Sequence, residues 1–136
     1  MEDLYRDYIL EHYRNPRNKR SIENPDVVYE DSNPLCGDKL HFELKLSPDG
    51  QTVEDFGFTG RGCAISQASA SMLSEEIIGK PVNELIKISR DDVLENLGIE
   101  LSAARLKCAM LSLKVLRGSL VKKELAGKHQ FDDDEE

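Results

Sequence analysis

The chain has 136 residues, 39% of them hydrophobic and 32% charged, with 18 basic against 26 acidic side chains and a formal net charge of −8. That length supports one domain with its own core and no need of staples. The acidic balance argues against a broad nucleic-acid-binding surface, and no apolar run nears the roughly 20 residues that cross a bilayer. The start MEDLYRDY is too polar for a signal peptide, so a cytoplasmic protein is expected, with neither nucleic acid nor membrane as a partner.

In residues 2–14, Leu4, Tyr5, Tyr8, Ile9, His12 and Tyr13 recur at spacings of three and four, which predicts an amphipathic helix that stops where Pro16 disfavours helical geometry at Asn15. A short strand is expected at 26–31. A second follows at 40–46, where Leu40, Phe42, Leu44 and Leu46 alternate with His41, Glu43 and Lys45. The turn SPDG leads to a third strand at 51–59, and the change of phase between Val53 and Phe56 marks a bulge. From Cys63 the pattern turns helical and is expected to close at Gly79. A short helix is predicted at 82–88. Ser89 then caps another, with Asp92 at its third position, Ile88 and Val93 as a hydrophobic staple, and Gly98 as its stop.

The last helix is expected from about Ala103 to Leu125. The ending KHQFDDDEE reads as an acidic, disordered, solubilising segment, so the domain is set at 1–126 and the tail at 127–136. Strands in one run followed by helices in another predict an α+β fold: a three-stranded antiparallel sheet with helices on one face and a long C-terminal helix.

The cysteines are Cys36, Cys63 and Cys108, an odd number with no local C-x-x-C pair, which argues against a disulfide framework. Taken singly, each could be a small buried apolar residue. All three stand at expected element ends, however, and such ends can converge at one pole of an α+β sandwich, where a helix N-terminus favours thiolate. Joined by Asp38, three thiolates and a carboxylate would make a four-coordinate site suited to Zn²⁺ or to the iron of an iron-sulfur cluster. The carboxylate would be the weakest and most exchangeable ligand of the four. Turn chemistry is the other explanation of Asp38, in NPLCGD.

No H-E-x-x-H motif or deaminase zinc motif is present. His12 and His129 read as ordinary helix and tail residues. His41 lies three positions after Asp38 and is a candidate neighbour of the site, but a solvated position on the polar strand face is the preferred reading.

The segments YRDYILEHYRNPRN, NPLCGD, GFTGRGCAISQASASML and ARLKCAMLSLKVL together resemble the U-type iron-sulfur cluster assembly proteins, SufU, IscU and the N-terminal part of NifU, over about residues 4–125. The resemblance implies one site formed by Cys36, Asp38, Cys63 and Cys108. It also implies a pyridoxal-phosphate cysteine desulfurase as sulfur donor and apo iron-sulfur proteins as acceptors. In the Suf branch such a site holds Zn²⁺ and accepts persulfide sulfur; in the Isc branch a [2Fe-2S] cluster is built on the cysteines.

The branch markers are divided. The histidine that precedes the third cysteine in Isc members is replaced by Lys107, and IELSAARLK stands where they carry the L-P-P-V-K read by an Hsp70-type chaperone, which counts against that partnership. ISQASASM and LKCAML lean towards SufU. Yet a separation of 45 from Cys63 to Cys108 leaves no room for the insertion usual in SufU.

The leading expectation is a sulfur-transfer or scaffold protein, with Cys36 as acceptor because its glycine-flanked loop can swing. Lys107 beside Cys108 could favour a thiolate or persulfide anion, or be an ordinary exposed lysine. An Isc-type [2Fe-2S] scaffold is the first alternative and a zinc-stabilised interaction module the second.

Overall fold

The computed structural model describes residues 2–34 and 37–135, with side chains described at 6–34, 37–103 and 105–123. Leu35 and Cys36 lie outside the described residues. The chain forms α1 (Glu2–Arg14), β1 (Val27–Asn33), β2 (Asp38–Leu46), β3 (Val53–Arg61), α2 (Ala64–Ile77), α3 (Val82–Leu85), α4 (Arg90–Leu97) and α5 (Ala103–Glu135). The strands pair antiparallel in the order β1-β2-β3. The α+β architecture read from the sequence is the one observed.

The pleat explains the layering. Leu40, Phe42 and Leu44 of β2 are fully buried, as are Val53, Phe56 and Phe58 of β3, and they meet Leu73 and Ile77 of α2 and Val115 and Leu116 of α5 in one core. The ring of Phe42 stands edge-on to Phe56 at a centroid distance of 4.9 Å, a favoured aromatic geometry. The expected bulge is present: Lys45 pairs with Asp55 and Leu46 with Val53, which leaves Glu54 as the extra residue. That extra residue lets Val53 and Phe56 face the same core despite their odd spacing.

Helix α2 is buried on nearly every face, and its small serines make that possible. Ser69 Oγ donates to the Ala109 carbonyl of α5 at 3.0 Å and lies 2.8 Å from Ser112 Oγ. On the α1 side, Ser71 Oγ accepts the Arg17 N–H at 2.8 Å and lies 2.7 Å from His12 Nδ1. The other ring nitrogen, Nε2, faces Glu75 Oε1, 3.5 Å away. Burial, and then the nearby Arg17 charge, lower the His12 pKa against the weaker pull of Glu75 and Glu11.

The strands are displaced by one or two residues from expectation: β1 runs on to Asn33, β2 starts at Asp38 and β3 runs from Val53 to Arg61. Three helix ends also differ. Helix α2 stops at Ile77, because Ile78 is extended and Gly79, in the left-handed region at φ 84°, donates its N–H to Val53 O at 2.7 Å. Gly79 thus joins the β3 edge instead of closing the helix. Helix α3 ends at Leu85, and the chain passes to α4 through i→i+3 bonds from Lys87 and Ile88. Helix α5 continues to Glu135 rather than ending near Leu125; beyond that point Gly127 is the one poor helix former before the acidic run. The start of α4 matches in detail: Ser89 and Asp92 form a reciprocal capping box, and Gly98 closes the helix at φ 68°.

Candidate metal and sulfur site

Three elements bring the site together. Asp38 opens β2, paired with Asn33 of β1 across the turn that carries Cys36 in sequence. Gly37 holds φ 75° in that turn and donates its N–H to Asn33 O at 2.8 Å. Cys63 follows the end of β3 as the N-cap residue of α2. Cys108 lies in the second turn of α5, buried in the smaller core cluster with Ile65, Met72 and Leu113, and Cys63 packs against the same cluster.

Asp38 is only 2% exposed. Its Oδ1 accepts the Cys63 backbone N–H at 3.1 Å, and its Oδ2 lies 3.6 Å from Cys63 Sγ as acceptor of the thiol hydrogen. A buried carboxylate demands such partners. One ligand atom each from Asp38, Cys63 and Cys108 lies within 4.8 Å of the others. Two sulfurs and a carboxylate oxygen at this mutual distance fit a soft or borderline metal, which would draw them in by modest side-chain movement. Cys36, the fourth expected member, falls outside the described residues; Gly37 and Asp38 fix the chain next to it.

His41 is on the other face of β2. Its Nδ1 lies 3.0 Å from Glu30 Oε1 and its Nε2 2.9 Å from Glu43 Oε2, so both ring nitrogens are committed to carboxylates away from Asp38. This corrects its candidacy as a neighbour of the site: three positions along a strand reverse the face. The Ile22 N–H holds Glu43 below the usual carboxylate range, with His41 as a lesser cause. His12 serves the α1–α2 contact. Lys107 is exposed in a cleft of about 230 Å³ beside Pro34, together with Asn33, Met110 and Lys114.

Two residues at the site drew no functional reading from the sequence. Gly62, between the end of β3 and the start of α2, leaves no room for a Cβ beside the Asp38 carboxylate and Ser66 Oγ. Ser66 is fully buried and donates to the Cys63 carbonyl at 3.1 Å, which ties down the first turn of α2. The glycine was visible in the sequence, but its contact with a residue 24 positions earlier was not.

The model of the NifU-like N-terminal domain family matches residues 4–128. The chain belongs to this family. It is 38% identical to the zinc-dependent sulfurtransferase SufU of Bacillus subtilis, with 91% of this chain and 94% of that one covered. It is 35% identical to the iron-sulfur cluster assembly scaffold protein IscU of Aquifex aeolicus, over 82% of this chain and 71% of that one. A crystal structure from Fervidobacterium islandicum, described as a scaffold protein for the SUF system, superposes with a TM-score of 0.74 at 28% identity, covering 84% of this chain and 94% of that one. No helix among the described residues is long and apolar enough to cross a membrane.

Proposed function

We propose that this chain is a cytoplasmic iron-sulfur assembly protein that takes persulfide sulfur from a cysteine desulfurase on Cys36 and passes sulfur, or a nascent cluster, to apo acceptor proteins. The observation that carries the proposal is the convergence of Asp38, Cys63 and Cys108 at one pole, in a chain similar to a zinc-dependent sulfurtransferase. In the resting state Cys36, Asp38, Cys63 and Cys108 would hold Zn²⁺, which keeps the thiols as thiolates and protects them from oxidation. The assembly domain spans 1–126, and 127–136 is an appended acidic segment.

Transfer needs only thiol exchange. The Cys36 thiolate attacks the outer sulfur of the desulfurase Cys–S–SH, a new S–S bond forms on Cys36, and the donor cysteine leaves as thiolate. No electrons are gained or lost overall. Asp38 supports the step because an oxygen ligand among thiolates is the one most readily displaced. Lys107, exposed in the cleft beside Pro34, supplies positive charge for an anionic persulfide.

A second reading is an Isc-type scaffold on which a [2Fe-2S] cluster is the cargo. It is favoured by the short Cys63–Cys108 spacing. The alignment with the Bacillus relative spans 141 positions, more than this chain's 136 residues, so that relative carries residues this chain lacks. Stimulation of a cognate desulfurase, with zinc and iron assayed on the same samples, tests both. Stimulation by a zinc-loaded protein supports sulfur transfer, and cluster formation under anaerobic reconstitution supports the scaffold. Absence of both, with chelation unfolding the domain, would leave only a zinc-stabilised module.

A further inference from the structure

We infer that Gly62 is a positioning residue for the metal site, acting through Asp38; the inference rests on the metal-site reading above. Between the end of β3 at Arg61 and the start of α2 at Ala64, the chain turns from strand to helix within two residues. Gly62 takes φ 148° there, a conformation that residues with a side chain rarely adopt. A Cβ at this position would fall on Asp38 Oδ1, and it would stand 2.5 Å from Asp38 Cγ and 2.8 Å from Ser66 Oγ. The glycine hydrogen is thus one wall of the carboxylate's seat.

That thin wall has a consequence for the ligand. It lets Asp38 sink to 2% exposure with Oδ1 on the Cys63 N–H at 3.1 Å, and this bond fixes the carboxylate plane with Oδ2 on the thiol side, 3.6 Å from Cys63 Sγ. One oxygen is committed to backbone and the other faces the sulfurs. Asp38 is therefore set up to offer a single oxygen to a metal. Gly62, by having no side chain, determines that outcome.

Backbone strain and crowding of Asp38 both predict harm from Gly62→Ala, so the test compares it in two backgrounds. Strain is common to both and cancels in a double-mutant cycle. The experiment titrates Co²⁺ into the full chain as wild type, Gly62→Ala, Asp38→Ala and the double variant, reading affinity together with the thiolate charge-transfer and ligand-field bands. Gly62→Ala is expected to weaken Co²⁺ by about 10- to 100-fold and to give the Asp38→Ala spectrum, and the double variant to be no weaker than Asp38→Ala alone.

Wild-type affinity and bands in Gly62→Ala, or losses that multiply in the double variant, would overturn the inference while the metal site stands. Asp38→Ala binding Co²⁺ like wild type would overturn the metal-site reading and the inference with it. Should Gly62→Ala lose stability by circular dichroism, the double variant is expected to be more stable than Gly62→Ala in denaturant unfolding, because the shortened side chain vacates the seat while strain is unchanged; a double variant no more stable than Gly62→Ala would refute the assignment.

Discussion

Cys63 grips Asp38 twice, by its backbone N–H to Oδ1 at 3.1 Å and by its thiol to Oδ2 at 3.6 Å. The ligand expected to be most labile is therefore held by the residue expected to be among the most firmly ligating. On the proposed function, a fourth thiolate in place of this oxygen would tighten the site and blunt its purpose. Asp38→Cys is predicted to release Zn²⁺ to a competing chelator more slowly than wild type and to accept less sulfur. A variant that exchanged zinc faster, with sulfur loading intact, would contradict that role for the carboxylate.

His12 gives the fold an acid limb. Burial holds its imidazole neutral, so its pKa in the folded state lies below that of the unfolded chain. Above about pH 6.5 the ring is neutral in both states and adds no pH dependence. As pH falls below that value the unfolded chain binds the proton first, and stability is lost until the folded-state pKa is reached. His12→Gln is predicted to flatten the fall in melting temperature from pH 7 to pH 5. An unchanged slope would mean that other groups carry the effect.

Gly118 lets α5 lie on the sheet. A Cβ there would enter the ring of Tyr29 on β1, so Gly118→Ala is predicted to cost about 1–3 kcal/mol by overpacking. Combining it with Tyr29→Leu, which makes room, should shrink that cost relative to the Tyr29→Leu parent. Equal costs in both backgrounds would assign the effect elsewhere.

The capping box of α4 is a stability element away from the thiols. Ser89→Ala, which removes the hydroxyl that accepts the Asp92 N–H at 3.2 Å, is predicted to cost about 1 kcal/mol in denaturant unfolding. Metal affinity should be unchanged. A loss of zinc in this variant would reveal a coupling between α4 and the site.

The parts of this account that were legible in the sequence are those governed by local rules. Alternation fixed the faces of Leu40, Phe42 and Leu44, the broken phase at Val53 and Phe56 marked the Glu54 bulge, and Ser89, Asp92 and Gly98 marked the limits of α4. What escaped was set by distant neighbours. Gly79 has the sequence context of a helix stop, but its N–H goes to Val53, and the contact of Gly62 with Asp38 joins residues far apart in sequence. His41 sits on the polar face of β2, as the alternation of that strand implies, with Glu30 and Glu43 and not with Asp38. The grouping of Asp38, Cys63 and Cys108 needed the whole fold, since these residues are joined by no local motif, and it was reached through the resemblance of four separated segments.

The central claim is that Cys36 is the sulfur acceptor, and intact-protein mass spectrometry tests it most directly. After incubation with a cysteine desulfurase and cysteine, followed by removal of the donor, the wild-type chain is predicted to carry one added sulfur atom, mapped by peptide analysis to Cys36. Cys36→Ser should carry none. The same sulfur load on Cys36→Ser, placed on Cys63 or Cys108, would contradict the account.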